Sequence, residues 1–120
     1  MFSLAPSTRI FVALAPVDLR QGFNGLHGLV QNRLGSDPLS GHLYLFTNRR
    51  RNRLKALYWD GSGLWLSTKR LEKGTFGWPQ GTEAGDVSAS LSQEELALLV
   101  SGLELRSRPN WYRKGLDQNR

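Results

Sequence analysis

The first strongly patterned segment, Arg9–Leu14, is an unbroken apolar and β-branched run between proline-containing flanks, which predicts a buried strand. After Pro16 the period lengthens. Phe23, Leu26, Leu29, Val30 and Leu34 recur every three to four residues, the spacing of one helical face, and Gly35 supplies a stop. Gly22, Gly25 and Gly28 each lower the intrinsic helicity of this segment by up to about 1 kcal/mol, so packing must hold it. Asp37–Gly41 is turn chemistry. Three further strands are predicted at His42–Phe46, Leu54–Trp59 and Leu64–Leu71. A polar, basic link (Thr47–Arg53) joins the first two, and a tight turn (Asp60–Gly63) joins the last two. A last short strand is expected over Thr75–Trp78, closed by Pro79. From Val87 a second helix follows, with Ser92 and Glu95 spaced as a capping box and Gly102 as its stop.

Consecutive strands with short links make an antiparallel meander. The expected architecture is therefore α+β: a single domain over residues 1–105, an antiparallel β-meander sheet packed with about two helices. Residues 106–120 form a polar, basic tail expected to be flexible. At 120 residues the chain has room for one ordinary domain. It has no cysteine, which removes disulfides, iron–sulfur clusters, thiolate zinc sites and thiol nucleophiles together. The longest apolar run, Ile10–Val17, is far shorter than the roughly 20 residues a membrane span needs, and Pro16 interrupts it. It also lacks the basic flank of a secretion signal, although Ala13-Leu14-Ala15 mimics a cleavage box. The expectation is a cytoplasmic protein without a membrane partner.

The formal net charge is +6, and its distribution changes the picture. Residues 1–48 carry a net +1 and residues 74–120 a net −1, so the excess lies in residues 49–73. There, Arg49, Arg50, Arg51, Arg53, Lys55, Lys69, Arg70 and Lys73 face only Asp60 and Glu72. Four arginines in five positions of one link repel one another, and their guanidinium forks suit phosphate oxygens. This patch is the candidate nucleic-acid surface. The plainer account is a solubilising loop that also discourages edge-to-edge strand pairing. Aromatic residues are interleaved with the charges, and Tyr58, Trp59 and Trp78 are candidates for stacking on bases. Aromatics on strands are more commonly core, but adjacent Tyr58 and Trp59 point to opposite faces, which offers one of them outward.

The remaining chemistry points away from an enzyme. Asp18, Asp60 and Glu72 are the carboxylates a metal-dependent nuclease would need, yet no spacing links them, and Asp60-Gly61 and Glu72-Lys73-Gly74 read as turns. Asp18 is free to cap the first helix or to pair with Arg20 or Arg9. His27 and His42 lack a partner at metal-ligand spacing, so no metal and no cofactor are expected. Gly22–Gly28 match neither a dinucleotide fingerprint nor a phosphate loop, and close helix packing is the better account of them.

Five blocks carry a resemblance: Val17–Leu26, Asp37–Gly41, Asn48–Lys55, Tyr58–Gly63 and Lys69–Pro79, followed by a Leu-rich helix ending at Gly102. Together they span about Arg9 to Gly102, and in this order they resemble the Orf2-like accessory proteins, also called TnpB, of bacterial insertion sequences of the sixty-six family. The resemblance implies a non-catalytic accessory factor in transposition, encoded beside a separate transposase that would be its partner. It does not extend to the RNA-guided nuclease that shares the TnpB label, which is several times longer. Joined to the basic patch, the expectation is a protein that contacts nucleic acid, DNA above all, through the basic hairpin. The rival is a protein–protein adaptor that docks on the transposase through Leu96, Leu99 and Val100, or through Trp111 and Tyr112.

Overall fold

In the computed structural model, which describes residues 4–102, β1 (Ile10–Ala13) is followed by α1 (Phe23–Asn32), β2 (Leu43–Thr47), β3 (Arg53–Trp59), β4 (Leu64–Arg70), β5 (Ser88–Leu91) and α2 (Gln93–Ser101). The strands form one sheet in the order β4-β3-β2-β1-β5. The meander expected for β2, β3 and β4 is present, with Leu45 opposite Ala56 and Ala56 opposite Ser67. β1 departs from it. It lies parallel to β2, Phe11 beside Tyr44, and antiparallel to β5, Phe11 beside Ser90. The physical reason is the length of the β1–β2 connection, which contains α1 and can therefore cross over the sheet, as a tight hairpin cannot.

Two further expectations change. Thr75–Trp78 is not a strand. It is an irregular segment in which Phe76 and Trp78 turn inward and are almost fully buried, and the Trp78 indole Nε1 donates to the Ala13 carbonyl at 2.8 Å. The segment from Val87 begins as a strand, and the helix starts only at the capping box. Ser92 Oγ accepts from the Glu95 N–H at 3.1 Å, and Glu95 Oε1 accepts from the Ser92 N–H at 2.8 Å. The cap therefore fixes where the helix starts, and the four residues before it add the sheet's last strand. At the far end, Gly102 adopts the left-handed conformation (φ 69°) that closes α2.

Both faces of the sheet are covered. Ile10, Val12, Leu43, Leu45, Leu54 and Ala56 pack on one face with Phe76, Trp78 and the Leu96 and Leu99 side of α2. Ala13, Tyr44, Phe46 and Leu57 pack on the other with Leu19 and the Leu26 and Val30 side of α1. α1 has no side-chain cap, since Gly22 occupies its N-cap position. Close packing does not explain all its glycines: a Cβ at Gly22 would meet nothing, and one at Gly28 would only reach ordinary contact with Asn32. Gly35 (φ 65°) turns the chain after α1, where the Ser36 N–H reaches the Val30 carbonyl.

Asp60 organises the β3–β4 turn. Its carboxylate accepts from the backbone N–H groups of Ser62 and Gly63 and from the Trp65 indole (2.7 Å), and these bonds, the Ser62 amide first, hold its pKa at about 2. A carboxyl depressed in the folded state stabilises it fully above the unfolded value near 4, and the stabilisation is lost as pH falls toward 2. Asp60→Asn is therefore expected to lower the thermal midpoint at neutral pH, with the gap to wild type closing between about pH 4 and 2 in a pH series of melts. Trp78→Phe leaves the Ala13 carbonyl without its buried donor and is expected to cost about 1–3 kcal/mol in urea unfolding, with the fold retained.

Candidate nucleic-acid interface

The β2–β3 link is an ordered turn. Thr47 is fully buried and its hydroxyl donates to the Arg53 carbonyl at 2.7 Å, closing the mouth of the hairpin. Inside, Asn48 Oδ1 accepts from the N–H groups of Asn52 (3.1 Å) and Arg53 (3.2 Å), while Asn48 Nδ2 donates to Asn52 Oδ1 at 2.8 Å. The Arg51 N–H donates to the Asn48 carbonyl, and Arg51 itself is left-handed (φ 60°), a conformation disfavoured for a residue with a Cβ. The segment after β4 clasps this turn from outside. Leu71 N–H donates to the Asn52 carbonyl at 2.8 Å, and Phe76 N–H donates to the Arg51 carbonyl at 2.7 Å. All of these bonds use backbone atoms or the side chains of Asn48, Asn52 and Thr47, so no arginine side chain is spent in holding the turn together.

Register decides which of the eight basic residues gather. Arg53 lies opposite Arg70 at the turn end of the β3–β4 pair, and both are exposed. Arg49 and Arg50 are exposed on the turn beyond them, Arg51 is half-buried, and exposed Lys73 sits on the segment that clasps the turn. Six cations thus collect at one end of the sheet. Among the described residues two ion pairs form, Arg20 with Asp18 at 2.8 Å and Arg70 with Glu72 at 3.1 Å, and neither involves Arg49, Arg50, Arg51, Arg53 or Lys73.

The other two cations are tied to the fold. Lys55 Nζ donates to the Gln21 carbonyl at 3.1 Å and so fastens β3 to the approach to α1. Lys69 is paired with Leu54, which places it on the α2 face of the sheet, and its Nζ donates to the Val100 carbonyl at 2.6 Å in the last turn of α2. It thereby supplies the positive charge that the C-terminal end of that helix favours and that α2 lacks in its own last turn. Of the candidate stacking rings, Trp78 is buried with its indole already bonded and offers no face to a base. Tyr58 and Trp59 are half-buried, Tyr58 against the α2-side core.

A cleft of about 530 Å³ opens beside the turn on the α1 face, lined by Asp18, Arg20, Asn48, Arg53 and Lys55 over an apolar floor of Val17 and Leu19. Asp18 forks onto Arg20, accepting from its Nε and Nη2 and from its backbone N–H. These bonds hold the Asp18 pKa at about 2 and raise that of Arg20. The pairing with Arg20 that the sequence left open is thus present, and the helix-capping role is not. Arg20 was named from sequence only as a partner for Asp18, and Asn48 and Asn52 were not singled out as turn-forming residues. An asparagine at each end of the basic link was the available signal, because short amides favour turns.

Asp18 bonds Arg20, Asp60 its own turn and Glu72 bonds Arg70, and the described residues include no group of three or more acidic or histidine side chains arranged to hold a metal. His42 Nδ1 accepts from the Arg9 N–H. Among the described residues no helix is long and apolar enough to cross a membrane. Leu96 and Leu99, proposed for an adaptor surface, are buried in the core beneath α2, and Trp111 and Tyr112 lie outside the described residues.

Two proteins of Sinorhizobium fredii are similar to this chain. The uncharacterised protein y4jC is 48% identical over 96 residues, 80% of each chain, and the uncharacterised protein y4hO is 38% identical over 106 residues, 88% of this chain and 90% of its own. No solved structure matches. A profile of the family described as IS66 Orf2-like protein matches residues 8–110, which takes in the turn, its clasp, the cleft and both helices. The chain belongs to the IS66 Orf2-like family, and through it to the accessory proteins associated with insertion-sequence transposition.

Proposed function

We propose that this protein is a non-catalytic, cytoplasmic accessory factor that binds DNA through the Asn48–Arg53 turn and so assists a separate transposase at the ends of its element. The observation that carries this reading is the turn itself: three consecutive arginines on a backbone fixed by bonds that use none of their side chains, and without a carboxylate partner among the described residues. Collecting like charges at one end of a sheet is unfavourable unless an anion takes them up. A guanidinium on a preformed turn meets a phosphate with no backbone left to order. Arg53, Arg70 and Lys73 extend the contact, and the cleft beside the turn continues it toward Lys55 and Arg20. Contacts of this kind position DNA without reading its sequence, so the surface by itself discriminates weakly between sequences.

With about five phosphates neutralised by this group, the slope of log K against log salt is expected near −4.5 for duplex DNA. In fluorescence anisotropy, Arg49→Gln with Arg51→Gln is expected to reduce that slope by about 2 and to weaken binding at least tenfold at low salt. Lys69→Met is expected to leave both unchanged while costing about 0.5 kcal/mol of stability at the end of α2. A flat salt dependence, or binding indifferent to the paired arginine substitution, overturns the reading. Arg51→Gly separates the two roles of that residue. Relief of the left-handed backbone, offset by the freer unfolded chain, is expected to stabilise the protein by up to about 1 kcal/mol in chemical denaturation. The same substitution removes one cation and lowers the slope by about 1.

A further inference from the structure

β4 is the outermost strand on its side of the sheet. It is seven residues long, pairs only with β3, and is reached by no other backbone hydrogen bond among the described residues. Among the described residues its outward-facing N–H and C=O groups are unpaired, no proline or bulge interrupts it, and the charges that discourage edge pairing, Lys69 and Arg70, are confined to one half. The two halves of the strand differ. Leu64, Trp65 and Leu66 are apolar, with Trp65 exposed to 52% of its surface, whereas Lys69 and Arg70 are cationic. The other edge, β5, is only four residues long.

From this asymmetry we infer that β4 is a self-association edge whose occupant is β4 of a second copy of the same chain, laid antiparallel about a two-fold axis at Ser67. A two-fold interface must be self-complementary, and this register is. It sets Trp65 opposite the second copy's Lys69, Leu66 opposite its Thr68 and Leu64 opposite its Arg70, and it uses all seven residues. Each basic half-strand then meets an apolar half-strand, and no like charges stand directly opposite one another. Moving the axis to Lys69 would instead put Lys69 against its own copy and Thr68 against Arg70, with like charges directly opposed. The resulting sheet has ten strands, with α2 of both copies on one face.

Dimerisation would give the turns a second property. The Asn48–Arg53 turn projects beyond the Arg70 end of β4, so the two-fold axis sends the two turns to opposite ends of the joined sheet. With a rise of about 3.4 Å per residue and about 4.8 Å between strands, they stand on the order of 35 Å apart. One turn of duplex DNA is about 34 Å long. The association itself is tested without DNA, so its failure and that of the DNA-binding reading are distinguishable.

The test is the hydrodynamic mass of the full chain, together with the single substitutions Ser67→Cys, Ser90→Cys and Ser67→Lys. The chain has no native cysteine, so each introduced thiol reports alone. The expected result is twice the monomer mass for the unsubstituted chain, near-complete cross-linking of Ser67→Cys by a short bismaleimide and little for Ser90→Cys on the opposite edge. Ser67→Lys sets two ammonium groups against each other across the axis and is expected to halve the mass, with the circular dichroism spectrum unchanged. A monomer at the highest soluble concentration overturns the inference. A dimer that survives Ser67→Lys, or one that links through Ser90→Cys, overturns it equally. If Ser67→Lys does not fold, cross-linking at Ser67→Cys against Ser90→Cys decides alone.

Discussion

Burial of β2 on both faces is the constraint from which the rest of the structure follows. All five of its residues are inaccessible, with Leu43 and Leu45 on one side and Tyr44 and Phe46 on the other. A strand of this kind must lie inside a sheet, and the sheet must be covered twice. β1 and β3 flank it. α1, carried in the β1–β2 crossover, covers the Tyr44 side. α2 alone is short for the Leu45 side, and the irregular segment between β4 and β5 completes it by turning Phe76 and Trp78 inward. The Trp78 indole adds a hydrogen bond to the end of β1, so the segment is joined to the sheet by a polar contact as well as by apolar area.

With both faces covered, the sheet is exposed mainly at its ends and edges among the described residues. The same segment that brings Phe76 and Trp78 into the core passes the β2–β3 turn on its way, and its Leu71 and Phe76 amides bond the carbonyls of Asn52 and Arg51. Core packing and the posture of the basic turn are therefore coupled through two hydrogen bonds and one stretch of chain. Covering the sheet and fixing the turn are one structural event, and this is how a fold of this size holds a charged turn in one shape.

Much of this was legible in the sequence. The hairpins were, because turn chemistry and β-branched runs are local signals, and so was the capping box of α2, whose two partners lie three residues apart. The parallel pairing of β1 was not, since nothing in Ile10–Ala13 states which of its neighbours it will join. Thr75–Trp78 misled because a short aromatic run has the composition of a strand, whereas both rings here plug a core whose shape is set elsewhere. The basic patch was visible as a cluster in sequence but not as a geometry. Lys55 and Lys69 belong to it by position and are withdrawn from it by carbonyls 34 and 31 residues away, at Gln21 and Val100. Long-range bonds of that kind leave no local trace.

The arrangement also separates stability from charge. The ion pairs among the described residues, Arg20 with Asp18 and Arg70 with Glu72, are exposed, and such pairs contribute little to folding. What holds the turn is the side chains of Asn48, Asn52 and Thr47 with three backbone–backbone hydrogen bonds, and the hydrogen bond from β4 to α2 comes from one lysine outside the turn. The arginines are thus borne by the fold without being required by it, and one of them, Arg51, sits where a glycine would be less strained. Strain of this kind persists only where the surrounding structure fixes it, and here the Asn48 carbonyl and the Phe76 amide, one on each side of Arg51, do so.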